Sequence, residues 1–134
     1  MKQDALFQAA KEAAALGYTP YSRFPVGAAI LMKNGTIIQG ANIENSSFGL
    51  TVCAERNALF RAHLEGYRSN DMIAMAVFGH THDPISPCGA CRQVMKELMD
   101  AQTPVYLLSE SLQTKAMTVE TLLPYAFDGS ALTK

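Results

Sequence analysis

The chain has 134 residues, 49% of them hydrophobic and 17% charged, with a net charge of −1 and a pI near 6.3. That is the size of a single domain, residues 1–134, with enough apolar material for a real core. The charge offers no broad basic field for nucleic acid, the apolar runs are too short to span a membrane, and three cysteines without a leader segment suit a reducing cytoplasm better than a disulfide framework.

Residues 4–16 read as a helix, with Asp4 as N-cap, Leu6, Ala9, Ala10 and Ala13 on one face and Gly17 as the stop. A loop dense in aromatics and proline follows, Tyr18-Thr19-Pro20-Tyr21-Ser22-Arg23-Phe24-Pro25. Val26 to Met32 and Thr36 to Ala41 are apolar strands joined by Asn34-Gly35, a strong hairpin signal. A helix runs from about Cys53 to Gly66, Met72 to Phe78 is a buried strand, Cys88 to Met99 a third helix and Val105 to Ser109 another strand. Thr118 can cap a short last helix that Pro124 restricts. The order α-β-β-α-β-α-β with a final helix indicates a layered α/β domain, one hairpin followed by parallel crossovers. Right-handed crossovers advancing in one direction place their two helices on one face, with neighbouring N-termini. Cys53 and the Cys88/Cys91 pair can therefore meet, at the carboxyl end of the sheet, where Asn42 and Glu44 also arrive.

Three thiols, two of them in a CxxC at a helix start, suit a tetrahedral zinc ion. A fourth ligand from protein would make the site structural; a solvent molecule there would make it catalytic. His63 lies ten residues along the helix from Cys53, about 15 Å away, and cannot share the metal. His80 and His82, in the loop before Cys88, could reach it. Glu55 can face the same cavity as Cys53 only if Cys53 has a non-helical backbone at the helix start. Placed so, its carboxylate can take a proton from metal-bound water; otherwise it is a favourable first-turn anion. Arg56, three residues after Cys53, is set to donate to the thiolates, and the more natural role for Arg92 is an exposed arginine.

Cys-Ala-Glu at 53–55 and Ser-Pro-Cys-Gly-Ala-Cys-Arg-Gln-Val at 86–94, with Asn-Ile-Glu-Asn at 42–45 and Tyr-Ser-Arg-Phe-Pro-Val-Gly-Ala-Ala at 21–29, resemble the small, homotetrameric, three-cysteine cytidine deaminases. The likeness runs from about Leu16 to Phe127. It implies a three-layer α/β/α fold whose mixed sheet has about five strands, one hairpin and the rest parallel. It also implies one zinc ion per subunit on Cys53, Cys88 and Cys91, and hydrolytic deamination of cytidine and 2′-deoxycytidine. In that chemistry zinc-bound hydroxide attacks C4 and Glu55 shuttles protons. By the family pattern Asn42 and Glu44 bind the ribose hydroxyls, Phe24 packs on the pyrimidine, the Ala54 N–H contacts the base, and Phe127 completes a neighbouring subunit's pocket. Phe48 stands where relatives often carry tyrosine.

A free nucleoside is the expected partner, since neither a glycine-rich phosphate loop nor a lysine and arginine cluster is present. Three other readings stand beside this one: a related deaminase of the antibiotic blasticidin S, a zinc-stabilised binding module without catalysis, and a thiol-disulfide oxidoreductase using Cys88 and Cys91.

Overall fold

The computed structural model describes residues 2–132. Its elements are α1 (Lys2–Ala13), β1 (Val26–Met32), β2 (Ile37–Ala41), α2 (Ala54–Leu64), β3 (Met72–Gly79), α3 (Gly89–Leu98), β4 (Pro104–Leu108), β5 (Thr114–Thr118) and α4 (Val119–Leu122). No helix among the described residues is long and apolar enough to cross a membrane.

One five-stranded mixed sheet, in the order β2-β1-β3-β4-β5, separates two cores. Side chains alternate across it with the period of two expected of strands. Val26, Ala28, Ile30, Met32, Met75 and Val77 point to the side covered by α2 and α3, where Ala58, Leu59, Ala62, Cys91 and Met95 close over them. Ala29, Leu31, Ala74, Ala76 and Phe78 point to the other side and pack against Leu6, Phe7, Ala10 and Ala14. The result is the three-layer α/β/α arrangement.

Two glycines let the helices approach the sheet this closely. A Cβ on Gly27 would lie 2.0 Å from the Ala10 carbonyl oxygen, and one on Gly40 would lie 2.4 Å from the Ala58 nitrogen and 2.5 Å from the Ala54 oxygen. Backbone therefore rests on backbone at both places. The contact at Gly40 seats the first turns of α2 against the edge strand and so sets the height of Cys53.

Strand direction departs from the expectation of one hairpin with the rest parallel. Only β3 and β4 pair in parallel; β1 runs antiparallel to both β2 and β3, and β4 to β5. The cause lies in where the β2–α2–β3 connection lands: it steps over β1 instead of extending the sheet beyond β2. Strands β2, β3 and β4 still point one way, so α2 and α3 share a face as their crossovers require. Strand β5 follows β4 after a connection too short for a crossover, and its antiparallel sense is then obligatory.

At the chain start the helix begins at Lys2, so Asp4 is a first-turn anion and not the N-cap. Leu6, Ala10 and Ala13 are buried as expected and Ala9 packs at the edge of the same core, while Phe7 joins that face by turning toward Tyr106, whose ring meets it edge-on at 5.3 Å. The hairpin forms as expected, Gly35 adopting a φ of 89° in its turn. Thr118 caps α4, its hydroxyl accepting from the Thr121 N–H.

Candidate metal centre and adjoining cleft

Cys53 and Cys88 are the N-caps of α2 and α3. Their backbones are extended, with φ −70° and ψ 159° at Cys53 and φ −68° and ψ 164° at Cys88. Neither cysteine side chain caps the backbone N–H groups of its helix, so both sulfurs are left for each other and for Cys91. Cys91, one turn into α3, is buried beneath them. The Sγ atoms of Cys53 and Cys88 are 3.8 Å apart, those of Cys88 and Cys91 3.5 Å, and all three lie within 4.8 Å of one another. Zinc–sulfur bonds of about 2.3 Å at tetrahedral angles put neighbouring sulfurs about 3.8 Å apart, so this donor set fits a zinc ion.

The histidines stand apart from the sulfurs. His80 pairs with Glu110 at 3.2 Å and His82 with Asp83 at 3.4 Å, the latter almost fully exposed. Among the described residues, no histidine or carboxylate joins the three cysteines as a possible ligand. A closed Cys3His site is therefore not formed.

Charge is graded across the cluster. The neighbouring Cys91 thiol, first, and the Arg56 guanidinium, 3.5 Å from the Cys53 sulfur, hold the Cys53 pKa well below that of an ordinary thiol. Cys91 is pushed the other way, upward, by the proximity of Cys53 and by burial. The contact with Cys53 raises Arg56, whose Nε is buried without a hydrogen-bond partner among the described residues. Glu55 is 3% exposed. Burial, then the negative charge at Cys53, raises its pKa above the carboxylate range.

Beside the sulfurs opens a cleft of ≈ 270 Å³, lined by Ser22, Phe24, Asn42, Glu44, Ala54 and Glu55 among others. Asn42 holds both ends of one wall: its Oδ1 accepts from the Val26 N–H at 2.9 Å and its Nδ2 donates to the Phe24 carbonyl at 3.0 Å. Glu44 anchors the same loop by accepting from the N–H groups of Tyr21 and Ser22, both at 3.0 Å, and from the Ser22 hydroxyl. These bonds lower its pKa, the Ser22 hydroxyl most of all. The Ala54 backbone lies in the first turn of α2, where N–H groups lack intrahelical acceptors.

Residues 1–107 match the family model described as the cytidine and deoxycytidylate deaminase zinc-binding region. The chain belongs to this family. A cytidine deaminase of Halalkalibacterium halodurans is 54% identical over 127 residues, covering 95% of each chain. One of Sporosarcina psychrophila is 48% identical over 127 residues, covering 95% of this chain and 92% of the relative. The crystal structure of a cytidine deaminase from Burkholderia pseudomallei aligns with a TM-score of 0.91 at 48% identity, over 95% of this chain and 100% of that one. The resemblance drawn from the motifs is thus borne out, and with it the α/β deaminase fold and one zinc ion per subunit, which the sulfur cluster fits.

Of the residues singled out from the sequence, Cys53, Cys88, Glu55, Ala54, Phe24, Asn42 and Glu44 line the one cleft, with Cys91 and Arg56 behind the sulfurs. Phe127 does not line it. It is 60% exposed, and its carbonyl accepts from Gln93 Nε2 at 3.0 Å. Arg92 differs from the exposed arginine expected: it donates to the Pro87 and Leu122 carbonyls, each at 2.8 Å, and to Ser86 Oγ at 2.6 Å. It ties the Cys88 loop to the chain end, and only the fold brings those partners to it. Ser22 and Ser86 were not singled out either; the one available signal was their place within the family motifs.

Proposed function

We propose that this protein hydrolyses cytidine and 2′-deoxycytidine to uridine and 2′-deoxyuridine, releasing ammonia. The single observation that carries this reading is the shared cleft: a buried carboxylate beside three clustered sulfurs at one end, and Phe24, Asn42 and Glu44 at the other. Cys53, Cys88 and Cys91 would hold the zinc ion, which when bound would supply a Lewis acid able to make water acidic near neutral pH. Glu55 takes one proton of the water that adds at C4 and places it on N3, then takes the second from the resulting C4 hydroxyl and delivers it to the amino group, so that the C4 carbonyl forms as the C4–N bond breaks and ammonia leaves. Burial suits it to this exchange, since a raised pKa lets one carboxyl act in turn as base and acid. The Ala54 N–H and the Phe24 ring hold the pyrimidine, and Asn42 and Glu44 take the sugar hydroxyls. Arg56 offsets the negative charge of the thiolates.

A nucleoside suits the cleft better than a nucleotide. Its lining carries two carboxylates and no lysine or arginine, a surface that repels phosphate. The site belongs to a homotetramer in which Phe127 reaches a neighbouring subunit's pocket; the exposure of Phe127, Phe48 at 74% and Leu50 at 66% supports that packing. Residues 1–134 act as one domain, and three free thiols fit work in the cytoplasm.

The test is ammonia release by zinc-loaded protein from cytidine, 2′-deoxycytidine, cytidine monophosphate and blasticidin S. Turnover of the two nucleosides is expected to exceed that of the other two by far. Faster release from blasticidin S or the monophosphate would overturn the substrate, and none from any of them would leave a binding module. Light scattering that finds a fully active monomer would overturn the tetramer.

A further inference from the structure

Ser22 has no part in the steps above, yet it is the most heavily engaged hydroxyl at the cleft. It donates to Glu44 Oε2 and accepts from the Phe24 N–H at 3.0 Å. Its own N–H and that of Tyr21 both donate to Glu44 Oε1. An ionised carboxyl offers about four acceptor positions. Three of those on Glu44 are therefore filled from a single loop, and Oε1 is saturated. The one position left is on Oε2, the oxygen that Ser22 itself orients. Glu44 and Ser22 line both the cleft and a second depression, of ≈ 390 Å³, lined also by Tyr21, Phe48 and Thr51. Arg23, between Ser22 and Phe24, takes a φ of 54°, the left-handed turn that folds the Ser22 hydroxyl back onto the Phe24 amide.

We propose that Ser22 is the positioning residue for sugar recognition: it saturates Glu44 from the loop side, leaving one fixed acceptor for one sugar hydroxyl, in register with the Phe24 ring. This rests on the reading of Glu44 as a sugar-binding carboxylate. Without the Ser22 hydroxyl, Oε2 has two open positions, the carboxylate regains rotational freedom about its last bond, and the Phe24 amide loses its acceptor. Sugar binding then has to order groups that the native loop holds in advance, and that cost falls on substrate binding more than on the chemical step.

The experiment compares zinc-loaded wild type, Ser22→Ala, Ser22→Thr and Glu44→Gln on cytidine, 2′-deoxycytidine, 3′-deoxycytidine and 2′,3′-dideoxycytidine. Ser22→Ala is expected to raise KM for cytidine by about tenfold, the scale of a lost hydrogen bond to a charged group, with kcat changed by less than about threefold. That penalty should be much smaller on the dideoxynucleoside, where only the lost Phe24 contact remains, Ser22→Thr should restore the cytidine KM, and Ser22→Ala should cost clearly less in the Glu44→Gln background than in wild type. An equal loss on all four substrates, a loss confined to kcat, or additivity with Glu44→Gln would reduce Ser22 to a loop-stabilising residue and overturn the proposal. If wild type itself processes the dideoxynucleoside as well as cytidine, the sugar role of Glu44 has failed, an outcome distinct from a failure of Ser22 alone.

Discussion

The two ends of the cleft are built by different means. At the sulfur end every group arrives from a helix start: Cys53 and Cys88 are N-caps, and Ala54, Glu55, Arg56 and Cys91 follow within one turn. At the opposite end the groups sit on loops, fixed by hydrogen bonds that join residues 16 to 23 positions apart, from Val26 and Phe24 to Asn42 and from Tyr21 and Ser22 to Glu44. The first end is local geometry repeated twice and brought together by sheet topology. The second is a long-range network of loop residues that touches a regular element only where Val26 opens β1. Chemistry should therefore be lost by single changes at the sulfur end, whereas binding and loop order should fail together at the other.

The largest expected effect tests the sulfur end. Glu55→Gln keeps the size and burial of the side chain but cannot carry a proton, so kcat should fall by about 10²–10⁴-fold. Zinc content and thermal stability should stay near wild type, and KM should move little. Near-normal turnover would remove Glu55 from proton transfer, and loss of zinc would make it part of the metal site.

Next in size is Asn42→Ala, which breaks the network end. It removes two hydrogen bonds and strands the buried Val26 N–H, at a cost of about 1–3 kcal/mol in unfolding free energy. Because the same amide spans the loop that carries Phe24, KM should rise in the same variant while zinc stays bound. A stability loss with an unchanged KM would show that the loop holds its place without Asn42, and the contrast between the two ends would break.

That contrast also explains what was legible from sequence. The extended backbone at Cys53, deduced from the need for Cys53 and Glu55 to face one cavity, is there at φ −70° and ψ 159°. Helix starts, the CxxC turn and the hairpin glycine are all settled within a few residues, so local pattern reaches them. Strand order is not, since nothing in residues 42–71 says that the crossover must pass over β1. Strand β5 has no local signal, since Thr114, Lys115 and Ala116 are all exposed and carry no alternation; only the family resemblance implied a fifth strand. The engagements of Arg92 with Pro87 and Leu122, and of Ser22 with Glu44, depend on loops meeting in space. Spacing carries no trace of them.

Arg56→Ala sharpens the sulfur end further. The guanidinium helps to keep Cys53 deprotonated, and without it the thiol pKa moves back up. Protons then compete better with zinc, so apparent zinc affinity should drop by about 10–100-fold. The sign of the pH dependence follows: the deficit should grow as pH falls and shrink as pH rises. Chelator competition across pH measures it, and a deficit that does not vary with pH would mean that Arg56 acts by packing alone.

The smallest effect separates the two residues of the network. Glu44 has a depressed pKa because the ionised form accepts from Ser22 and Tyr21. Its hold on the loop should be complete above the ordinary carboxylate value of 4.5 and should be lost as pH falls through the lower folded value. Asn42 does not titrate, so its hold on Val26 has no such dependence. Amide hydrogen exchange, corrected for intrinsic rates, reads both in one sample. Below the ordinary carboxylate value the Tyr21 and Ser22 amides should lose protection ahead of the Val26 amide, and in Glu44→Gln that difference should lose its dependence on pH. Parallel loss at all three amides would mean that the loop opens as one body, with carboxylate and carboxamide holding a single latch and not two.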